Sequence, residues 1–529
     1  MKWNAWGDPA LASDLSNSIK GLLVSVLGLD TDAPTELAAT DVELTASRLR
    51  ADDIAALGVL VGTDQVSVAD GDRLYRAGGK STPDLLRRKQ AHQDAPDGVV
   101  APGTDDEVLA VLQWCAEAGV AVVPFGGGTS VVGGLDPDDG GLRAVISLDL
   151  RRFDALINLD AESGQARLGA GVTGPAAEEM LGAQGFSIGH FPQSFKFATI
   201  GGFAAARSSG QASAGYGRFD DMVTALTVVT PQGIAHFGVA PKSAAGPDLR
   251  QLFVGSEGTL GVITDVTVRV HKVPAVTLHE AWHFPDFATG AAALRAVAQR
   301  GVGPTVMRLS DEVETGINLA NPSGIGDENA APVPSGGVLA VTTYEGDEAA
   351  ASARKQLTAD LFASLGGQSV GAGPAEAWEH GRFNAPYLRD SLLAVDAGCE
   401  TLETVTTWSN LTNLKTAVTE ALTAALGESG SLALVMCHIS HVYPTGASLY
   451  FTVIYKQIGE PVAQWQAAKA AANQAITSVG ASITHHHAVG ADHRPWLAAE
   501  IGDTGVTVLR AVKEALDPKG ILNPGKLIP

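Results

Sequence analysis

The sequence predicts an α+β fold in which short strands and helices are mixed. From Gly98 onward, short apolar runs typical of buried strands alternate with longer segments of helical apolar spacing. Glycine, with 61 of 529 residues, is concentrated where these segments join. The length suggests about three or four structural parts at roughly 150 residues each. Together these observations favour a multidomain α+β protein over an all-helical or all-strand one.

We expect four parts along the chain. A helical N-terminal segment covers 1–90, and an α+β domain made of two subdomains follows over 91–274. A second α+β domain, which would act as a cap, covers 275–490. The last part, 491–529, is a helix with a tail that would close on the first α+β domain.

The N-terminal segment contains two predicted helices and a charged connection. Residues Leu11 to Leu27 have helical apolar spacing, and Asp52 to Gly58 predicts a short helix. The charged stretch Asp84 to Asp97, which contains Pro96, is typical of a surface connection.

The first α+β domain opens with a buried strand at Gly98 to Pro102. Thr104 is placed to cap a helix over Asp105 to Gly119, whose first turn is acidic. The other predicted elements are a helix near Pro175 to Gln184 and strands at Ala121–Pro124, Val145–Leu148, Arg167–Ala170, Thr224–Thr230 and Gly261–Val270.

The second α+β domain and the C-terminal part show the same alternation. A Pro-, Gly- and Ser-rich stretch from Asn321 to Gly337 predicts a loop. The predicted elements are helices at Ala288–Gln299, Ala349–Leu365 and Thr504–Leu516, and strands at Gly337–Tyr344, Leu432–His438 and Ser448–Tyr455.

The charge balance limits the partners. The chain carries 58 acidic and 36 basic residues, a formal net charge of −22. This argues against nucleic acid and against polybasic docking on an anionic membrane. An anionic substrate would need a local basic pocket.

The three cysteines indicate no disulfide framework, and we find no signal peptide and no apolar run of about 18 residues. We expect a cytoplasmic protein, with peripheral membrane contact left open.

A first glycine motif, Pro124 to Val131, follows a predicted buried strand. Its three glycines allow a close approach of the backbone to a ligand, and consecutive N–H groups in such a turn can hold an anion. The motif predicts either a pyrophosphate cradle or a tight strand connection. Two familiar nucleotide motifs are excluded, because Val131 and Leu74 stand where the dinucleotide fingerprint and the P-loop need glycine.

Two further glycine-rich blocks follow. The first runs from Gly189 to Gly217 and is dense in Gly, Ser and Thr around His190 and Arg207. The second, Gly255 to Ile263, puts two glycines just before a strand. An irregular loop is the alternative interpretation of the first block, but Ile200 and Phe203 within it are not typical of a solvated loop.

The three blocks, in this order and spacing, resemble the PCMH-type FAD-binding domain of the vanillyl-alcohol-oxidase family, and most closely its alkyldihydroxyacetonephosphate synthase branch. The resemblance extends from Trp3–Gly7 through Met307–Leu309 to His485–Gly490. It implies that FAD is lined by Phe125, Gly126, Gly127, Gly128, Thr129, Ser130, Val131, Gln193, Ser194, Phe195, Lys196, Phe197, Ala198, Thr199, Ala206, Arg207, Ser208, Ser209, Glu257, Gly258, Thr259, Leu260, Gly261, Val262 and Ile263.

The chemistry of FAD agrees with such loops. Backbone N–H groups can hold its pyrophosphate without cationic side chains. Some relatives attach the flavin covalently through His or Cys. Because the glycine blocks contain no Cys, we expect FAD to be bound non-covalently. By the resemblance, His190 lies beside the flavin.

The same resemblance implies roles for residues of the second domain. Arg308 and His438 would contact the substrate head group, and Tyr450 would act as a general acid/base over the flavin. His485, His486 and His487 would assist Tyr450, and on a strand His485 and His487 would share one face. The residues alone leave other interpretations open: an ion-paired Arg308, a core Tyr450, and a metal patch or solvated turn at the histidines. We expect no metal site.

Two departures from the synthase pattern concern the substrate. His438 stands after Cys437 where the synthases carry an Arg, so a permanent positive charge is missing. The tail Leu522 to Lys526 looks more like that of flavin-dependent 2-hydroxyacid dehydrogenases, although the dehydrogenase metal motif around Cys437 to His441 is incomplete.

The resemblance therefore implies an FAD-dependent synthase. It would exchange the acyl group of 1-acyl-dihydroxyacetone phosphate for a long-chain alcohol, through a covalent flavin adduct and without net redox change. The alternatives are an FAD-linked dehydrogenase or oxidase of a 2-hydroxy acid or alcohol, and a flavoprotein that binds a lipid without chemistry. In each case the ligand is a small molecule, and we expect a homodimer.

Overall fold

The computed structural model describes residues 1–12, 14–29, 38–317 and 336–529. The chain forms two compact units. The glycine-loop unit comprises Leu37–Ser209, Arg218–Lys272 and His486–Pro529. The seven-stranded unit comprises Met1–Glu36, Gly210–Gly217 and Val273–His485. The predicted loop over Asn321 to Gly337 lies outside the described residues up to position 335.

Within the described residues the strands are β1 (Glu43–Leu44), β2 (Val66–Ser67), β3 (His92–Gln93), β4 (Gly98–Val100), β5 (Val120–Phe125), β6 (Ala144–Asp149), β7 (Leu156–Asp160), β8 (Gln165–Gly169), β9 (Phe186–Ser187), β10 (Val223–Thr230), β11 (Gly233–Phe237), β12 (Val262–Arg269), β13 (His271–Lys272), β14 (Val276–Phe284), β15 (Val306–Ser310), β16 (Val338–Gly346), β17 (Gln368–Gly371), β18 (Ala397–Thr407), β19 (Ala433–Val442) and β20 (Gly446–Lys456).

The helices of the same residues are α1 (Asn17–Leu22), α2 (Ala51–Val61), α3 (Asp70–Tyr75), α4 (Thr82–Arg87), α5 (Asp105–Ala118), α6 (Gly174–Gly182), α7 (Ile200–Ala206), α8 (Ser213–Tyr216), α9 (Phe219–Met222), α10 (Arg250–Phe253), α11 (Phe287–Arg300), α12 (Glu312–Gly316), α13 (Glu348–Ser364), α14 (Gly373–Gly381), α15 (Ala385–Ala394), α16 (Leu411–Glu428), α17 (Pro461–Ser478) and α18 (Arg494–Leu516). None of them is both long and apolar enough to cross a membrane.

The glycine-loop unit contains a four-stranded sheet of order β2-β4-β6-β5 and a five-stranded antiparallel sheet of order β11-β10-β12-β8-β7. Strand β6 pairs in parallel with both β4 and β5. As predicted, Thr104 Oγ1 accepts a hydrogen bond from Glu107 N at 3.1 Å and caps α5, which ends at Gly119 with a φ of 67°. Helix α5 buries Val108 and Leu112 in the core of this unit.

The prediction of a surface connection over Asp84 to Asp97 is wrong at its start. Residues Thr82–Arg87 form α4, and Asp84, Leu85 and Leu86 are buried. The Asp84 carboxylate accepts hydrogen bonds from Ser81 N at 2.9 Å and from Ser81 Oγ at 2.7 Å, and it pairs with Arg87 at 2.8 Å. The charge of Asp84 is therefore satisfied inside the protein, which a count of charged residues cannot show.

The seven-stranded unit is built on one sheet of order β17-β14-β16-β15-β19-β20-β18, and all its pairings are antiparallel. Helices α11, α16 and α17 bury apolar residues in a large core with the sheet. Strands β19 and β20 pair along the length of β19 except at a register shift between Ile439 and His441, and His438 faces Tyr450.

The N-terminal segment does not form one part over 1–90. Its first 36 residues belong to the seven-stranded unit, because Leu15, Ile19 and Leu23 share a core cluster with Leu392 and Met436. The predicted helix over Leu11 to Leu27 is shorter and divided. The Ser16 hydroxyl accepts a hydrogen bond from Ile19 N at 3.2 Å, so α1 begins after it, and a π-helical turn replaces the α-helix over Leu23–Leu27.

The C-terminal helix begins ten residues earlier than predicted. It starts at Arg494 and is interrupted at Gly502, whose φ of 69° breaks the helical backbone. The tail after it lies along β5: Val122 N donates to Ile521 O, and Asn523 N donates to Val122 O, both at 2.8 Å. This tail belongs to the glycine-loop unit.

Candidate active site

The glycine loop after β5 packs directly on the segment that precedes α7. A Cβ atom on Gly127 would lie 2.1 Å from the Phe197 carbonyl oxygen, and one on Gly126 would lie 2.4 Å from Thr199 Oγ1. Thr199 itself caps α7 by accepting a hydrogen bond from Gly202 N at 3.3 Å. Two of the predicted FAD segments are therefore adjacent, and only glycine allows their backbones to approach so closely.

His190 lies buried beside the third predicted segment. Its Nε2 forms a 3.0 Å hydrogen bond with Ser208 Oγ, and its ring contacts Phe203 and Phe219 with centroids 4.7 and 4.9 Å away. Burial, with smaller contributions from His486 and Arg218, lowers the pKa of His190 to about 3. His190 is therefore a neutral imidazole at physiological pH.

Several buried polar atoms in or beside the predicted FAD segments fit a polar ligand. Within the described residues, His190 Nδ1, Gln193 Nε2 and Ser256 Oγ have no hydrogen-bond partner. Buried polar atoms normally have one, so these atoms are suited to the polar edge of a flavin ring or to its ribityl and phosphate oxygens. The glycine loop and these polar atoms together fit FAD.

Glu257 holds the segment that follows the three histidines. Its carboxylate accepts hydrogen bonds from Val489 N at 2.9 Å and from Gly490 N at 2.7 Å. Burial raises the pKa of Glu257 to about 7, although those hydrogen bonds and Lys526 oppose the change. The Glu257 carbonyl accepts from Asn523 Nδ2 at 2.7 Å. Asn523, in the tail that resembles the dehydrogenases, thus holds the backbone at Glu257.

Arg207 also makes a structural contact among the predicted FAD residues. It ends α7 with a φ of 52°, and its Nε donates to Val254 O at 3.0 Å. A Cβ on Gly255 would lie 2.8 Å from Arg207 Cδ, so Gly255 is needed to fit beneath this side chain. The part of Arg207 in binding FAD stays a prediction.

In the seven-stranded unit, Arg308 and His438 lie together, as the resemblance implies. Arg308 Nη1 is 3.1 Å from His438 Nε2, and His438 Nδ1 is 2.9 Å from Glu314 Oε2. Arg308 Nη2 donates to the other Glu314 oxygen, which also accepts from Ser310 Oγ at 2.9 Å. Arg308 Nη2 also lies 3.0 Å from His438 Nδ1, so the guanidinium and the Glu314 carboxylate both contact the imidazole.

Glu314 is the residue of this cluster that the sequence analysis missed. It is 1% exposed, and its Coulomb attraction to His438 and Arg308 keeps its pKa well below the usual value despite burial. Its negative charge offsets that of Arg308. The site is therefore less positive than its basic residues suggest. The acidic residue six positions after Arg308, at a helix start, was the only sequence signal.

Tyr450 stacks on His438, with ring centroids 4.9 Å apart and an interplanar angle of 20°. Burial raises the pKa of Tyr450 to about 12, and the nearby charges of Glu400 and Glu403 act in the same direction. A hydrogen bond with Thr401 and the charge of Arg389 oppose this change. The Tyr450 phenol is therefore protonated at neutral pH.

Arg389 is a second residue that the sequence analysis missed. It lies on α15 and is 8% exposed, and its charge acts on both Tyr450 and Cys399. The available signal in the sequence was an Arg among the apolar residues of a helix, since an Arg is rarely buried unless its charge is paired.

The three histidines form bends, not a strand, so the expected shared face of His485 and His487 does not arise. His485 is buried in the seven-stranded unit, where its Nε2 lies 2.6 Å from Tyr443 Oη and its ring stacks on His441 at 4.9 Å. His486 and His487 belong to the glycine-loop unit and contact each other with centroids 4.7 Å apart. Their catalytic roles and the expected absence of a metal stay predictions.

Comparisons with known proteins agree with this picture. Residues 96–237 match the family described as FAD binding domain, and residues 273–527 match FAD linked oxidases, C-terminal domain. The chain is 34% identical over 487 residues to the alkyldihydroxyacetonephosphate synthase of Trypanosoma brucei brucei, covering 89% of this chain and 79% of the relative.

A solved structure of an alkyldihydroxyacetonephosphate synthase superposes with a TM-score of 0.83 at 28% identity, over 100% of this chain and 99% of that one. The mitochondrial D-lactate dehydrogenase [cytochrome] of Arabidopsis thaliana is 30% identical over 444 residues, covering 82% of this chain and 74% of that protein. The chain therefore belongs to the alkyldihydroxyacetonephosphate synthase-like branch of the vanillyl-alcohol-oxidase family of FAD-dependent enzymes.

Proposed function

We propose that the protein exchanges the acyl group of a 1-acyl-dihydroxyacetone phosphate for a long-chain alcohol, forming an ether bond without net redox change. The observation that carries this proposal is the cluster of Arg308, His438 and Tyr450 on adjacent strands, in a chain of this family. FAD, when bound, supplies the ring on which the exchange takes place. The residues of the chain bind the head group and move protons.

Arg308 is suited to the phosphate head group. Nη1 faces His438 and Nη2 is paired with Glu314, while its buried Nε has no hydrogen-bond partner among the described residues. That N–H is a donor for a phosphate oxygen. Because Glu314 offsets the Arg308 charge, we infer that the site recognises the head group by oriented hydrogen bonds more than by net charge.

Tyr450 would act first as an acid. A phenol with a pKa raised to about 12 keeps its proton at pH 7, so it can donate to an oxygen of the substrate but cannot begin as a base. Its stacking on His438 fixes the ring over the same part of the sheet as Arg308.

The reaction can be tested directly. The purified FAD-loaded protein is incubated with 1-palmitoyl-dihydroxyacetone phosphate and hexadecanol, and the ether product and released palmitate are measured by mass spectrometry. We expect both in equal amounts, and a rate lower by roughly 100-fold in Tyr450→Phe. Absence of ether product from folded protein that carries yellow FAD would overturn the proposal.

A second candidate is a dehydrogenase or oxidase of a 2-hydroxy acid. The observation in its favour is the Arg308–His438 pair, since a guanidinium can bind a carboxylate while an imidazole takes the hydroxyl proton. Anaerobic mixing with a panel of 2-hydroxy acids and alcohols tests it: bleaching of the flavin absorbance supports this function, and an unchanged spectrum counts against it.

The proposal includes four further properties of the protein: non-covalent FAD, a homodimer, a cytoplasmic location and peripheral membrane contact. Support for non-covalent FAD comes from the three cysteines, which are all buried and lie outside the predicted FAD segments. Acid precipitation should release the flavin into the supernatant. Light scattering tests the dimer, cell fractionation tests the location, and co-sedimentation with vesicles tests membrane contact.

A further inference from the structure

Four side chains of the seven-stranded unit form a polar chain that includes His485. Ser213 Oγ lies 2.8 Å from His441 Nδ1, the rings of His441 and His485 stack at 4.9 Å, and His485 Nε2 lies 2.6 Å from Tyr443 Oη. Ser213, His441 and His485 are buried, at 7%, 4% and 4% exposure. None of the three residues that accompany His485 was assigned a role by the sequence motifs.

The Tyr443 hydrogen bond determines which nitrogen of His485 carries the proton. A phenol hydroxyl can donate to Nε2 or accept from it, and each arrangement fixes whether Nε2 carries a proton. In the arrangement proposed below, the Tyr443 O–H points at Nε2 and the proton of the ring lies on Nδ1. This contact therefore selects one of the two tautomers of the imidazole.

The backbone at His485 is held separately. Glu403 on β18 accepts hydrogen bonds from His485 N and, at 2.6 Å, from Thr484 Oγ1, and it is 1% exposed. This carboxylate places the backbone of His485 but does not set the χ1 and χ2 angles of its ring. The orientation of the ring must therefore come from its side-chain contacts, which include Tyr443 at one edge and His441 on one face.

His441 supports the ring of His485 and is itself oriented. The Ser213 hydroxyl at its Nδ1 fixes the plane of the His441 ring, and His441 N donates to Ser448 Oγ at 3.0 Å, which fixes its backbone. A ring held in this way is a rigid stacking partner. Loss of the Ser213 hydroxyl would let the His441 ring rotate and would loosen the stack.

We propose that Tyr443 and Ser213 are positioning residues that set the tautomer and the orientation of His485, Tyr443 directly and Ser213 through His441. The inference rests on the proposed function only in that His485 moves protons during the exchange. The hydrogen-bonded state of His485 is independent of that function, and it can be measured without substrate.

The first test is spectroscopic. The full-length FAD-bound protein is labelled with ¹⁵N-histidine, and the His485 signals are assigned from their loss in His485→Gln. We expect the wild type to show a protonated Nδ1, and Tyr443→Phe to shift the ring toward the Nε2-protonated tautomer. Tyr344→Phe is the matched control, since it removes the hydroxyl of another buried tyrosine of the same unit, on β16. Unchanged His485 signals in Tyr443→Phe would overturn the inference.

The second test separates positioning from stability. In the synthase assay we expect Tyr443→Phe to lower kcat by roughly 10-fold to 100-fold with little change in KM, and to have no further effect in a His485→Gln background. Ser213→Ala should lower kcat less, and Ser213→Thr, which keeps a hydroxyl, should restore it. An equal loss in both backgrounds would show that Tyr443 does not act through His485. A protein without synthase activity would contradict the proposed function, while the ¹⁵N result would still decide this inference.

Discussion

Arg308 and His438 are joined by one buried carboxylate, that of Glu314. Arg308 Nη1 lies 3.1 Å from His438 Nε2, and His438 Nδ1 lies 2.9 Å from Glu314 Oε2, while Arg308 Nη2 pairs with Glu314 Oε1. The three side chains come from β15, β19 and α12. A charge balance is thus built into the predicted head-group site: one guanidinium and one carboxylate, with an imidazole between them.

Removing the carboxylate should destabilise the protein. In Glu314→Gln the half-buried Arg308 loses its buried counter-ion, and we expect a loss of about 3–5 kcal/mol in the free energy of unfolding, measured by urea denaturation at pH 7. Because the folded-state pKa of Glu314 is lowered, its contribution is present above the unfolded pKa and is lost as pH falls below it. The variant should therefore lose less stability than the wild type between about pH 5 and pH 3. An equal pH slope in both proteins would contradict this.

Replacing His438 by Arg tests the departure from the synthase pattern. In His438→Arg a second permanent charge joins Arg308, and one Glu314 carboxylate no longer balances both. We expect tighter binding of a phosphorylated substrate, seen as a lower KM, together with a lower melting temperature. His438→Gln is the control of similar size without a charge. A higher KM in the Arg variant would show that the imidazole itself, and not the charge, contacts the head group.

The glycine loop gives a steric prediction. Gly127→Ala would bring a methyl group to 2.1 Å from the Phe197 carbonyl, so the two segments must separate. We expect loss of bound FAD, measured as a fall in flavin absorbance relative to protein absorbance, and a lower melting temperature. Gly182→Ala is the matched control, because nothing lies within 4 Å of its Cβ position at the end of α6. Full FAD content in Gly127→Ala would exclude this loop from the cofactor site.

Glu257 gives a pH prediction of the opposite sign to Glu314. The folded-state pKa of Glu257, about 7, lies above the unfolded value of roughly 4.3. Its contribution to the free energy of unfolding is therefore fully present below the unfolded pKa and is lost as pH rises through the folded pKa. The free energy of unfolding should therefore fall between about pH 5 and pH 8 by more in the wild type than in Glu257→Gln. The exposed Glu179→Gln is the control. A wild-type slope retained in Glu257→Gln would assign the effect to another group.

Much of the secondary structure could be predicted because its causes are local. The Thr104 cap, the acidic first turn and Gly119 mark α5 within one residue of its observed end. The glycine loop was also evident, since three glycines after an apolar strand are typical of a turn that another backbone or a ligand approaches closely. The prediction of a surface connection over Asp84 to Asp97 was wrong at its start because the partners of a charged side chain cannot be read from the sequence. A run of charged residues looks the same whether water solvates Asp84 or Ser81 and Arg87 pair with it.

The sequence by itself therefore determined the α+β class, FAD as the cofactor and the family, because these depend on residues that are close along the chain or follow a fixed order. Only the tertiary structure decided how the charges and protons of the site are arranged. Glu314 meets His438 across 124 positions, and Tyr443 meets His485 across 42. Such contacts form through strand pairing and burial, which bring side chains to within about 3 Å of each other without any local signal in the sequence.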